Sequence, residues 1–178
     1  MTKKGATGSS NKFVNGIKQW VFFGVHAMCL AALWTGISWI AVITCLALYY
    51  IRMFGITAGY HRYFSHRSYK TSRAFQFFLA WLGASAAQKG PIWWAGHHRH
   101  HHQHSDTEED VHSPIKESIW WAHVGWVLSP HFVKDRPELV KDLLKFPEIK
   151  FLDKYNLIPP IALAVFMYYF GVYLENFN

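Results

Sequence analysis

Apolar and polar residues occur along this chain in long blocks rather than in the two-residue alternation of strands. The first twelve residues, M-T-K-K-G-A-T-G-S-S-N-K, are polar, and such a segment buries too little apolar surface to order itself. Residues 1–17 are therefore read as a disordered polar N-terminus. From Val21 to Ile51 there is no Asp, Glu, Lys or Arg. That run exceeds one membrane span of about 20 residues and is short for two spans with a loop. Thr35-Gly36-Ile37-Ser38 offers a break, which predicts helices near 18–34 and 36–56 joined by a tight turn. The second helix would run past the bilayer surface, and one long tilted helix is the alternative.

Further on, residues 74–95 start apolar and end in a Lys-Gly-Pro break, which predicts an interfacial or partly inserted helix. Ser113 to Leu128 is an aromatic amphipathic stretch that predicts a helix lying in the headgroup layer. Asp135-Arg136-Pro137-Glu138 opens a predicted short helix with Leu139, Val140, Leu143 and Leu144 on one side, ended by Pro147. Leu157 to Leu174 is again uncharged and predicts a third span near 157–174, with Pro159-Pro160 in its first turn. The pattern as a whole predicts an all-α integral membrane protein with interfacial helices, and residues 18–178 as one domain.

Composition agrees. The chain is 51% hydrophobic and 18% aromatic with nine Trp, which suits interfacial aromatic belts. Eighteen basic against eleven acidic residues give a net charge of +7. The basic residues cluster beside apolar runs and no nucleic-acid motif occurs, which points to anionic lipid headgroups and away from nucleic acid. Lys3, Lys4, Lys12 and Lys18 precede the first apolar helix, Arg52 lies near the end of the second, and Arg62, Arg67, Lys70 and Arg73 follow it. By the positive-inside rule the N-terminus and the histidine-bearing segments at 61–66 and 98–102 face the cytosol. Cys29 and Cys45 lie in apolar runs and give no disulfide framework.

The chemistry is concentrated in histidine. Seven of the twelve His lie between Trp93 and His112. Within that run His98, His101 and His102 form an H-x-x-H-H, and upstream His61 and His66 form an H-x4-H. Positions i, i+3 and i+4 of a helix share a face, so His98, His101 and His102 can converge on one metal ion. Imidazole suits iron, zinc, copper and nickel, and the lack of cysteine partners argues against a structural zinc finger. His97, His100 and His104 fall outside the spacing and are read as supporting or surface residues. His26 is read as a hydrogen-bonded helix histidine. His61 and His66 lie roughly 140° apart round an ideal α-helix, so either the helix ends between them or each serves a different metal. Asp106, Glu109 and Asp110 can orient ligand rings through the distal nitrogen or form a solvated acidic turn.

At G-I-T-A-G-Y-H-R-Y-F-S-H-R-S-Y (55–69), W-A-G-H-H-R-H-H-H-Q-H-S-D-T-E-E-D-V-H (94–112) and H-V-G-W-V-L (123–128), the chain resembles the membrane fatty-acyl desaturases of the acyl-CoA type. The resemblance implies a two-iron centre held by histidines from three boxes. It also implies O2 and two electrons from a donor such as ferredoxin or cytochrome b5, and removal of two hydrogens from a long-chain fatty-acyl substrate. His61 and His66 match the first box, and His98, His101 and His102 the second. Elementary chemistry agrees: hydrogen abstraction from an unactivated methylene needs a metal centre that activates O2.

The sequence departs from the family's pattern in three places. Asp110-Val111-His112 stands where D-P-H is common, and Gly96-His97 replace the Arg-Asp of animal acyl-CoA enzymes. The second change leaves CoA, acyl carrier protein and a lipid ester all open as the acyl carrier. No second H-x-x-H-H follows His104. The chain is therefore expected to be the N-terminal half to two-thirds of a desaturase, with five ligands that do not close a two-iron site alone. A lipid or alkane hydroxylase with the same boxes, and a non-catalytic metal-binding membrane protein, are the alternatives.

Overall fold

The computed structural model describes residues 19–129 and 135–175. The polar segment 1–17 and His131 lie outside the described residues. Every regular element among the described residues is helical, in agreement with the all-α expectation. The helices are α1 (Gln19–Thr35), α2 (Trp39–Ser65), α3 (Arg73–Ala84), α4 (Pro91–His104), the short α5 (119–128), α6 (Pro147–Lys154) and α7 (Ile158–Glu175). α2 and α7 are each long and apolar enough to cross a membrane. Between α1 and α2 the chain breaks at Gly36, whose φ of 82° is open to glycine and strained for other residues. Two separate helices therefore replace the single long one.

The chain divides into two compact units. One comprises Met1–Ile43 and His104–Lys134, the other Thr44–Gln103 and Asp135–Asn178. In the first, α1 is apolar yet exposed, and His26 Nδ1 bonds the Phe22 carbonyl at 2.7 Å, the helix histidine expected. After His104 the chain turns rather than continuing as a helix. Ser113 is fully buried; its hydroxyl donates to Asp106 at 2.7 Å and accepts from the amides of Ile115 and Lys116. That knot of side-chain bonds confines the predicted 113–128 helix to 119–128.

In the second unit the core is Tyr60, Phe64, Leu79, Ala80, Ala84, Ile92, Ala95, Val140, Leu143, Ile149 and Leu152, drawn from the lower part of α2, from α3, α4 and α6, and from the 140–143 turn. No residue of Trp39–Phe54 is buried, and α7 buries only Pro159. Helices apolar all round and bare of protein need an apolar surround.

Burial on α2 begins at Gly55, where the backbone comes against α3. A Cβ at Gly55 would stand 2.8 Å from Gly83 N and from the Leu82 carbonyl carbon; one at Gly83 would overlap the Tyr60 ring. G-I-T-A-G and Gly83 thus let two helices meet backbone to backbone.

Two sequence expectations fail here. Residues 74–95 are not one helix: Ala87 and Lys89, both at positive φ, turn the chain between α3 and α4. The element after Asp135 is only a 3₁₀ turn, Pro137–Leu139, and Pro147 opens α6 instead of ending a helix. The Leu139 carbonyl, which a continuing helix would pair with a later amide, accepts instead from Arg99 Nη1 at 2.6 Å. Pro147 suits the first position of α6, where no amide hydrogen is needed.

Candidate metal centre

The lower half of α2, Gly55–Ser65, is wound as a π-helix of eleven residues. Its hydrogen bonds run between residues five apart, including the His66 amide to the His61 carbonyl at 3.1 Å. Ser65 Oγ adds a bond of the same span, donating to the Tyr60 carbonyl at 2.8 Å. Runs of this winding are rare and favour functional sites. An i→i+5 winding brings residues five apart closer round the axis than an α-helix does, so His61 and the capping His66 point the same way. Their Nε2 atoms are 3.1 Å apart. Of the two options drawn from α-helical geometry, the helix end is the one observed: α2 stops at Ser65 with His66 as its C-cap, and the π winding also brings the two rings together.

α4 carries the second motif. Its first turn is capped from a distance: Asp153 Oδ1, on α6, accepts the amides of Ile92 and Trp93, both at 2.9 Å. A carboxylate there also complements the positive end of the helix dipole. Gly90 leaves the room, since a Cβ would collide with that carboxylate. Farther along, the His98 ring stacks on Trp94 with centroids 4.8 Å apart. His98 Nε2 lies 3.2 Å from His66 Nε2 and 3.0 Å from His102 Nε2.

Ligand atoms of His61, His66, His98 and His102 therefore all fall within 4.8 Å of one another. His101 is not in this group; its ring centroid is 6.3 Å from that of His98 although it shares α4. Of the five histidines singled out by spacing, four converge.

The donor set fits a cation. Each Nε2 carries either one hydrogen or one lone pair, so three successive Nε2 contacts among four rings cannot all be good hydrogen bonds. A metal–imidazole bond of about 2.1 Å puts adjacent nitrogens about 3.0 Å apart at right angles and about 3.4 Å apart in a tetrahedron, and the observed contacts match that range. The His98 imidazolium is disfavoured by burial first and then by His102, His61 and His66, which push its pKa down to about 3. Burial and the neighbouring rings likewise lower His66. Neutral imidazole is the form that binds metal.

What the spacing did not disclose is the frame. Arg99, inside the histidine run, donates to the carbonyls of Ser65 (3.0 Å), Phe64 (2.5 Å) and Leu139 (2.6 Å) and to both oxygens of Asp142 (2.7 and 3.0 Å). Asp142 also pairs with Arg67 at 2.9 Å. A partly buried, fully bonded arginine within a polar run has no signature in a hydropathy pattern. Nor does Asp153, some sixty residues from the helix it caps. Of the acidic residues near the second motif, Asp110 is no solvated turn. It is buried, accepts the amides of Asp106 and His112, and holds His112 Nδ1 at 3.0 Å. His97 and His100 are also buried rather than at the surface.

A profile of the fatty acid desaturase family matches residues 37–175. Relatives include the sn-1 stearoyl-lipid 9-desaturase of Anabaena variabilis, 40% identical over 92% of this chain and 61% of its own length. An acyl-CoA 5-desaturase of Anemone leveillei is 38% identical over 83% of the chain and 47% of its own length. The chloroplastic palmitoyl-monogalactosyldiacylglycerol delta-7 desaturase of Arabidopsis thaliana is 35% identical over 85% and 41% respectively. With its two histidine motifs on adjoining helices, the chain belongs to the fatty acid desaturase family. It spans about half the length of the curated relatives it matches.

Proposed function

We propose that the chain carries the first two histidine boxes of an iron-dependent desaturase that introduces a double bond into a long-chain fatty-acyl substrate. The convergence of His61, His66, His98 and His102 supports this reading most directly. These four residues would hold iron, with His101 as a further ligand toward the second iron of the family's two-iron centre. Bound iron supplies the O2-dependent oxidising power that an unactivated methylene demands. The protein's part is to present neutral imidazoles, fix their rings through Trp94 stacking and Arg99, and keep the acyl chain in apolar surroundings.

In this reading α1, α2 and α7 cross the bilayer near 18–34, 36–56 and 157–174. The bare apolar faces of α2 and α7 favour it. Arg67, Lys70 and Arg73, which follow α2, favour the cytosolic side for the histidine boxes, within reach of a donor such as ferredoxin or cytochrome b5. Relatives are named for acyl-lipid and for acyl-CoA substrates alike, so the reading stops at the acyl chain.

The test is fatty-acid profiling by gas chromatography and mass spectrometry of a desaturase-deficient host expressing the chain joined to a downstream segment that supplies the third histidine box. A new monoenoic acid, two hydrogens lighter than its parent and absent with His98→Ala, is expected. A product heavier by one oxygen would make it a hydroxylase.

A further inference from the structure

The two histidine boxes sit on different helices, and something must hold them in register. The carbonyls at the end of α2 can be followed one by one. That of His61 is taken by the His66 amide, that of Arg62 by Ser68, and that of Tyr63 by Arg67. The next two, Phe64 and Ser65, are taken by Arg99 Nη2 and Nε. Terminal carbonyls left without partners carry a desolvation cost when buried, and a cation there also meets the negative end of the helix.

Arginine offers five N–H donors in a fixed fork. Here five bonds go to Phe64, Ser65, Leu139 and the two oxygens of Asp142. The side chain is only 11% exposed. It therefore joins the end of α2, immediately before His66, to α4, immediately after His98.

We propose that Arg99 is the positioning residue that sets the first box against the second, acting through His66. This rests on the reading of the four histidines as one metal centre. Lysine keeps the charge but has three donors on a flexible stem, so Arg99→Lys should leave the helices formed and let His66 drift from His98.

The experiment is a double-mutant cycle on the purified 178-residue chain, with Co2+ as the probe, read by visible absorption and competition with a chelator. Arg99→Lys should weaken Co2+ binding about 10- to 100-fold, the usual cost of losing a group that orients a ligand, and alter the ligand-field bands. In a His66→Ala background the same substitution should change affinity less than about threefold, because the ligand that it places is gone. Equal weakening in both backgrounds, or none in either, would overturn the proposal. If Arg99→Lys loses its helical circular dichroism, Asp142→Asn, which retains the arginine and removes one side of its clasp, decides by the same cycle. A His98→Ala/His102→Ala chain that binds Co2+ as tightly as the wild type would instead refute the metal centre itself.

Discussion

Asp153→Ala separates the cap on α4 from every other feature of the site. Asp153 Oδ1 accepts two amides at 2.9 Å each, and loss of an N-terminal cap costs about 0.5–2 kcal/mol. Two partly buried amides then lack partners, which places the cost at the upper end, about 2 kcal/mol. For a chain of this size that lowers Tm by about 4–8 °C, measured by circular dichroism in detergent. Asp153→Asn keeps an oxygen in the same place and should melt within about 2 °C of the wild type at neutral pH. Burial raises the Asp153 pKa, opposed by its bonds to Trp93 and Ile92. The folded protein thus holds that proton more tightly than the unfolded chain does. Its contribution to stability is full below the ordinary carboxyl pKa and declines as pH rises through the raised value. The Asn variant, unable to ionise, should lack this decline. If Asp153→Asn falls as far as Asp153→Ala, the carboxylate's charge and not the cap is what matters, and the reasoning is wrong.

Other expectations follow from packing, topology and ligand geometry. Gly55→Ala, whose Cβ meets the α3 backbone at 2.8 Å, should cost about 1–3 kcal/mol as overpacking. Gly24→Ala, with nothing within 4 Å, should be neutral or stabilising in the same melt. With Cys29 and Cys45 replaced, Ser68→Cys and Ser105→Cys should react with an impermeant thiol reagent from the cytosolic side only, and Ser38→Cys from the other; labelling of position 105 from outside would remove the proposed access to a cytosolic reductant. His98→Ala should weaken metal binding more than His101→Ala in chelator competition, since His98 contacts two of the other rings through Nε2 and His101 lies outside the four.

The apolar runs translate directly into α1, α2 and α7 because an uncharged stretch of that length has few other ways to satisfy its backbone. Gly36 marks the break between α1 and α2 for the same local reason, its freedom at positive φ. The histidines were legible as a metal-binding set, yet their convergence was not. An H-x4-H read on α-helical geometry splays apart, and the π winding that reunites His61 with His66 occupies the stretch where Gly55 and Gly59 lie close against α3. Long-range contacts explain the remaining misses. Leu139 ends its turn with its carbonyl bonded to Arg99, forty residues earlier. Pro147 reads as a stop in the sequence because the start that it provides is recognised only once the turn before it is known.

The central claim, that the two boxes close on one ion, is tested most directly by X-ray absorption at the zinc edge of the purified chain. Zinc serves because histidine sites do not select iron by affinity alone. The account predicts a nitrogen shell at about 2.0–2.1 Å with the outer scattering of four imidazoles, falling to three in His61→Ala. A light-atom shell without imidazole scattering, or a spectrum unchanged when His61 and His98 are both replaced by alanine, would contradict it.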